Sequence, residues 1–98
     1  MAKGAWLIQG FDGNRRTLRR RVSSAVSDRE IKALLQRLVS RHLNVNEVIA
    51  GSLRKSMKAY SPVLQVSTEP RHRTIYWCGE NPHYIASFHT DYEWQDLE

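Results

Sequence analysis

Arg15-Arg16-Thr17-Leu18-Arg19-Arg20-Arg21-Val22-Ser23 decides the fold, because the stretch can be laid out as a strand or as a helix. As a strand, alternation places Arg16, Leu18, Arg20 and Val22 on one face and Arg15, Thr17, Arg19 and Arg21 on the other. As a helix, Leu18, Val22, Ala25 and Val26 form one stripe with Asn14 as N-cap. Thr, Val and the paired Ser23-Ser24 are weak helix formers, so the strand is preferred. The preceding residues agree. Ala5 to Phe11 is apolar, glycine-bounded and contains Trp6 and Ile8, and Asp12-Gly13-Asn14 has the residue types of a tight hairpin turn. The expectation is a hairpin whose second strand carries the arginines.

Downstream, Ser27 followed by Glu30 has capping-box spacing. Ile31, Leu34, Leu35, Leu38, Val39 and Leu43 then recur at helical intervals, predicting a helix over 28–43 that Asn44 closes. Asp28 and Lys32 are spaced to pair along it, and Arg29, Lys32, Arg37 and Arg41 form its outer face. A second helix is expected from Asn46 to the Ser61-Pro62 step, with Ile49, Leu53 and Met57 inward and Arg54, Lys55 and Lys58 in its last turns. Gly51 should weaken it by about 1 kcal/mol relative to Ala. Three strand-like runs follow, Val63–Ser67, Arg73–Cys78 and His83–His89, separated by turns at 68–72 and 79–82.

The expected class is α+β, in the order ββααβββ, with two helices on one face of an antiparallel sheet. A winged helix-turn-helix is the alternative. Ser40, Leu43, Asn44, Val45, Asn46, Ala50 and Leu53 would form its turn and core, and Glu47, Ser52, Arg54 and Lys55 would face a groove. Residues 1–90 read as one domain and 91–98 as an acidic, frayed tail that Trp94 can anchor. Leu97-Glu98 has the form of a purification-tag remnant and carries no functional weight.

A chain of 98 residues suits one core. Its 41% hydrophobic and 26% charged residues are those of a globular domain. No apolar run reaches the ~20 residues of a membrane span, and the N-terminal apolar stretch is short for a signal peptide. The single Cys78 forbids an intrachain disulfide and points to a reducing, cytoplasmic setting.

The formal charge of +5 is unevenly spread. Residues 1–60 hold 13 basic and 4 acidic side chains, whereas residues 61–98 hold 2 basic and 6 acidic. A cationic surface draws nucleic acid by counterion release. Opposed charges can instead pair two copies, or this chain with another protein.

Arg15, Arg16, Arg19, Arg20 and Arg21 are the strongest local feature. Arginine presents a planar fork of donors that matches phosphate and stays charged at physiological pH. Fewer charges would suffice merely to guard an edge strand. Lys55 and Lys58 are read as assisting. Among the aromatics, Tyr76 and Tyr84 are assigned to the core, and Trp77 with Ile85 to an opposite face where an unpaired base could stack. The expected partner is nucleic acid, with RNA or a single strand favoured, and no cofactor is expected.

His72, Cys78, His83 and His89 with Asp91 lack the paired spacing of a structural zinc site. On one strand, His83 and His89 would lie ~20 Å apart. No metal is expected, and no phosphate loop, dinucleotide fingerprint or nucleophile elbow occurs.

An enzyme reading uses His89, Asp91, Tyr92 and Arg73 as acid, base and phosphate clamp for RNA cleavage. A helix pair followed by an antiparallel meander in a small basic protein resembles the RelE-type ribonuclease toxins, and that resemblance implies an RNA-cleaving activity. It rests on topology alone, and the hairpin arginines have no counterpart in it.

Overall fold

Five strands, β1 (Gly4–Asp12), β2 (Arg15–Ser23), β3 (Val66–Thr68), β4 (Ile75–Gly79) and β5 (His83–Thr90), form one antiparallel sheet in the order β2-β1-β5-β4-β3. Three helices accompany it: α1 (Asp28–Ser40), α2 (Val45–Ser52) and α3 (Asp91–Leu97). This computed structural model describes residues 4–68 and 74–97. The chain is therefore an α+β domain, and no described helix is long and apolar enough to cross a membrane.

The hairpin turns on Gly13, whose φ of +63° is cheap only for glycine; Asn14 keeps a negative φ, an arrangement that fits a type II′ turn. The capping box of α1 is formed: Ser27 Oγ accepts from the Glu30 N–H at 3.2 Å, and Glu30 Oε1 accepts from the Ser27 N–H at 3.0 Å. The reciprocal bonds hold the Glu30 carboxyl below its usual range, the Ser27 backbone being the larger cause. Helical spacing turns Ile31, Leu35 and Val39 inward onto Trp6, Ile8, Tyr76, Cys78, Tyr84 and Ala86. This is the near face of the sheet. Trp6 is packed edge-on to Phe88, tilted against Tyr76, and donates its Nε1–H to the Val26 carbonyl at 3.0 Å.

Tyr76 fastens α1 to β4 by donating to Asp28 Oδ2 at 2.6 Å. That bond, followed by burial and the Asp28 charge, pushes the Tyr76 hydroxyl from its ordinary 10 up to about 12. The folded state thus holds this proton more tightly than the unfolded chain does. Its contribution is complete below pH 10 and is lost as pH rises from 10 to about 12. Tyr76→Phe should cost about 1.5 kcal/mol at neutral pH. Denaturant melts at pH 8 and pH 11.5 should show the wild type losing more of its stability than the variant does.

Several elements depart from the sequence expectation. α1 ends at Ser40 rather than at residue 43, because Asn44 caps the next helix instead of closing this one. Asn44 Oδ1 accepts from the Glu47 N–H at 2.9 Å and Glu47 Oε1 from the Asn44 N–H at 3.0 Å, a second capping box. α2 stops at Ser52, and Leu53 is already extended. The expected inward stripe fails with it: Ile49 is 55% and Met57 41% exposed. Gly51 explains the packing that replaces it. A Cβ there would come within 2.9 Å of both Val63 Cγ2 and Leu64 Cγ, so the bare glycine is what lets α2 lie on the short 3₁₀ turn Pro62–Leu64. That turn takes Val63 and Leu64 from the expected strand 63–67, leaving β3 to start at Val66, because Pro62 starts it without an N–H and Gln65 N–H closes it on the Pro62 carbonyl at 3.0 Å.

In place of a frayed tail, residues 91–97 form α3, and it packs on the face opposite α1. A third reciprocal cap starts it: Glu93 Oε1 accepts from the Thr90 N–H at 3.0 Å, and Thr90 Oγ1 accepts from the Glu93 N–H at 3.3 Å. Trp94, buried with Ala5 and Leu7, anchors it by donating its Nε1–H to the Ala5 carbonyl at 3.3 Å. His72 and Arg73 lie outside the described residues.

Candidate nucleic-acid interface

β2 is an edge strand, and all five of its arginines are exposed. An edge strand lets both of its faces reach water, which removes the conflict of arginines on both sides. The faces are not those of simple alternation. The β1–β2 register shifts between Gly10 and Phe11, so that Gly10 pairs Leu18 while Phe11 pairs Arg16. The extra residue, Thr17, is a bulge that reverses the phase beyond it. Arg16 therefore joins Arg19 and Arg21 on the far face, and Arg15, paired with Asp12, joins Arg20 on the near face. Arg20, between Leu18 and Val22, folds its guanidinium back to donate to the Arg19 carbonyl at 3.2 Å.

The pairings arrange the far face in rows. Arg16, Phe11, His83 and Gly79 form one. Arg19, Gln9, Ile85, Trp77 and Ser67 form the next and cross the whole sheet. Arg21, Leu7, Ser87 and Ile75 form the third. α3 lies over the end nearest Leu7, Ala5 and His89. There the Arg21 and Arg19 guanidiniums stand 4.6 Å and 6.0 Å from the centre of the Trp94 ring, and Arg21 Nη2 is 3.9 Å from Asp91 Oδ1. The first row, and the second beyond Arg19, make no ring or core contact with it among the described residues. Phe11, His83, Trp77, Ile85 and Gln9 are half-buried there, with Phe11 and His83 stacked at 5.3 Å and 17°.

Arg16, Arg19 and Arg21 are thus brought together on one surface. Trp77 shares that surface as the cross-strand partner of Ile85, three strands from β2 and ~14 Å away at ordinary strand spacing. Lys55 and Lys58 are not part of it. They are exposed beyond the end of α2, which packs on the Pro62–Leu64 turn toward the β4 side of the sheet. The same early stop takes Arg54 and Lys55 off the helix expected to present them. Phe11, Gln9 and His83 were not among the residues the sequence nominates for binding. The phase of β1, with Trp6 and Ile8 inward, would have put Phe11 beside Leu7 on the other side; His83 draws notice only as a metal ligand.

Of the residues of the enzyme reading, His89, Asp91 and Tyr92 are described, and they have different surroundings. His89 is only 7% exposed, shares a 2.7 Å hydrogen bond with the buried Ser87, and meets the Trp94 ring edge-on at 5.8 Å. Tyr92 points to solvent, and Asp91 faces Arg21. Cys78 turns to the near-face core, where burial pushes its thiol up to about 11, while His83 and His89 belong to the far face. Among the described residues no group of three or more His, Cys, Asp or Glu is placed to hold a metal ion. No protein-family model, curated protein or solved structure matches the chain.

Proposed function

We propose that this is a small, non-enzymatic nucleic-acid-binding protein that holds phosphates through Arg15, Arg16, Arg19, Arg20 and Arg21. One observation carries the reading: five exposed guanidiniums lie on a single edge strand, and among the described residues Arg15, Arg16, Arg19 and Arg20 form no ion pair. Among the described residues, and Arg21 apart, the cluster is therefore not consumed in neutralising carboxylates. A sheet face open beside the arginines favours RNA or a single strand over a duplex. A cytoplasmic setting belongs to the same reading, since Cys78 is a buried free thiol.

The test is a titration of labelled single-stranded RNA and of duplex DNA across a salt series. Micromolar or tighter binding at physiological salt, steeply salt-dependent and stronger for the single strand, is expected. Binding that disappears below physiological salt would overturn the reading, and shortened RNA in the recovered complex would return the ribonuclease alternative.

A protein–protein interaction module is the second reading. In its favour, Val45 on α2 is 74% exposed and Ile49 and Met57 are largely so, giving an apolar surface unrelated to the arginines. It predicts a dimer in light scattering that persists in high salt.

A further inference from the structure

The far face holds more than a phosphate track. Its open end contains a depression bounded by Trp77 and His83, with Ile75 and Ile85 along it and Gly79 and Glu80 at the rim. Gly79 carries no side chain, and a Cβ there would meet the Pro82 carbonyl oxygen at 2.6 Å and Val39 Cγ2 at 3.0 Å, so the row that begins with Arg16, Phe11 and His83 ends in bare backbone beside Trp77. The indole and imidazole are half-buried: their neighbours fix them while leaving aromatic surface reachable. His83 is braced on one side by the stacked Phe11 ring and at Nδ1 by the Glu80 carbonyl at 3.2 Å.

We infer that this depression between Trp77 and His83 is a stacking site for an unpaired nucleobase, with the attached strand running across Ile85 and Gln9 toward Arg19 and Arg16. The inference rests on the phosphate-binding reading above and deepens it by naming a single-stranded polynucleotide as the ligand. Charge complementarity commits the face to that occupant. An apolar protein partner would have to cover the Arg16 and Arg19 guanidiniums, which form no ion pair among the described residues, whereas a polynucleotide supplies phosphates for them and an aromatic ring for the depression. The side chains between are suited to the passage, because Ile85 offers an apolar floor and Gln9 an amide that can meet a base edge. A duplex would not fill the depression, since its bases are already stacked on one another. Every base has an aromatic face, so stacking of this kind tolerates sequence.

The test compares two probes of equal charge, an oligothymidylate of about 12 nucleotides, within the usual range of site sizes, and an abasic strand of the same length. The wild type should bind the oligothymidylate roughly 10- to 100-fold more tightly than the abasic strand, as expected for one or two stacked bases. Trp77→Ala should remove most of that difference, lowering affinity for the oligothymidylate far more than for the abasic strand, and Trp77→Phe should restore most of it. His83→Ala removes the opposite wall without touching the Trp77 ring and should also narrow the difference. Equal affinity of the wild type for the two probes would overturn the stacking site and leave phosphate binding standing. So would Trp77→Ala and His83→Ala variants that weaken both probes alike. Failure of the wild type to bind either probe would overturn the phosphate-binding reading itself.

Discussion

Replacing Arg15, Arg16 and Arg20 together by glutamine is expected to lower affinity for single-stranded RNA roughly 50-fold at physiological salt. Each phosphate contact on a single strand contributes about −0.7 to the slope of log K against log salt, so losing three should flatten it by about 2. Extrapolated from molar salt, where counterion release no longer contributes, that flattening yields the 50-fold figure, and the two proteins should converge as salt approaches 1 M. These three arginines are suited to the experiment because they are exposed, form no ion pair among the described residues and stand clear of the Trp94 ring. The thermal midpoint should therefore stay nearly fixed. Unchanged affinity, or a slope that stays steep, would mean that these three arginines guard the edge strand and that phosphates bind elsewhere.

Trp6→Ala should be the most damaging single substitution in the near-face core. Removing a buried tryptophan costs about 3–5 kcal/mol through lost transfer energy and the cavity left behind. Trp6 is 3% exposed, and its ring joins three parts of the chain: Tyr76 on β4, Phe88 on β5 and the Val26 carbonyl ahead of α1. A domain of this size has about 5–15 kcal/mol in all, so the variant should melt about 20 °C lower, by calorimetry or by circular dichroism. Trp77→Ala, on the open half of the far face, should shift the midpoint by only a few degrees. A Trp6→Ala protein that melts like the wild type would mean that the near-face packing is not what holds the hairpin to the helical layer.

The arginine hairpin was legible because two independent signals agreed. Gly13 demands a turn, and the flanking residues alternate on one side and resist a helix on the other. Its bulge was not legible, since Thr17 is an ordinary strand residue and only the pairing with Phe11 reveals that the phase slips there. Three helices begin with the same reciprocal cap, at Ser27–Glu30, Asn44–Glu47 and Thr90–Glu93. The first precedes a long apolar stripe and stands out. The second is masked by Asn46, an equally good cap two residues on. The third precedes a segment whose one buried anchor among the described residues is Trp94, too little periodicity to announce a helix. α2 misleads for a related reason: Ile49, Leu53 and Met57 have helical spacing, but the backbone contact at Gly51 decides which side of that helix faces the protein. The candidate face was half legible. The arginines and Trp77 can be read from residue type, whereas Phe11, Gln9 and His83 become neighbours only through a β1–β5 pairing that joins the two ends of the chain.

The contact of Arg19 and Arg21 with the Trp94 ring also bears on how fast and how tightly a strand can be held. Two long side chains that would otherwise sample many rotamers already lie against a fixed aromatic surface before any ligand arrives. Immobilising such a side chain on binding costs about 0.5–1.5 kcal/mol of entropy. At these positions much of that ordering is completed when α3 docks, during folding itself. The short helix α3 thereby orders part of the cationic surface on its own side of the sheet, and under the proposed function a strand would meet two guanidiniums already in place.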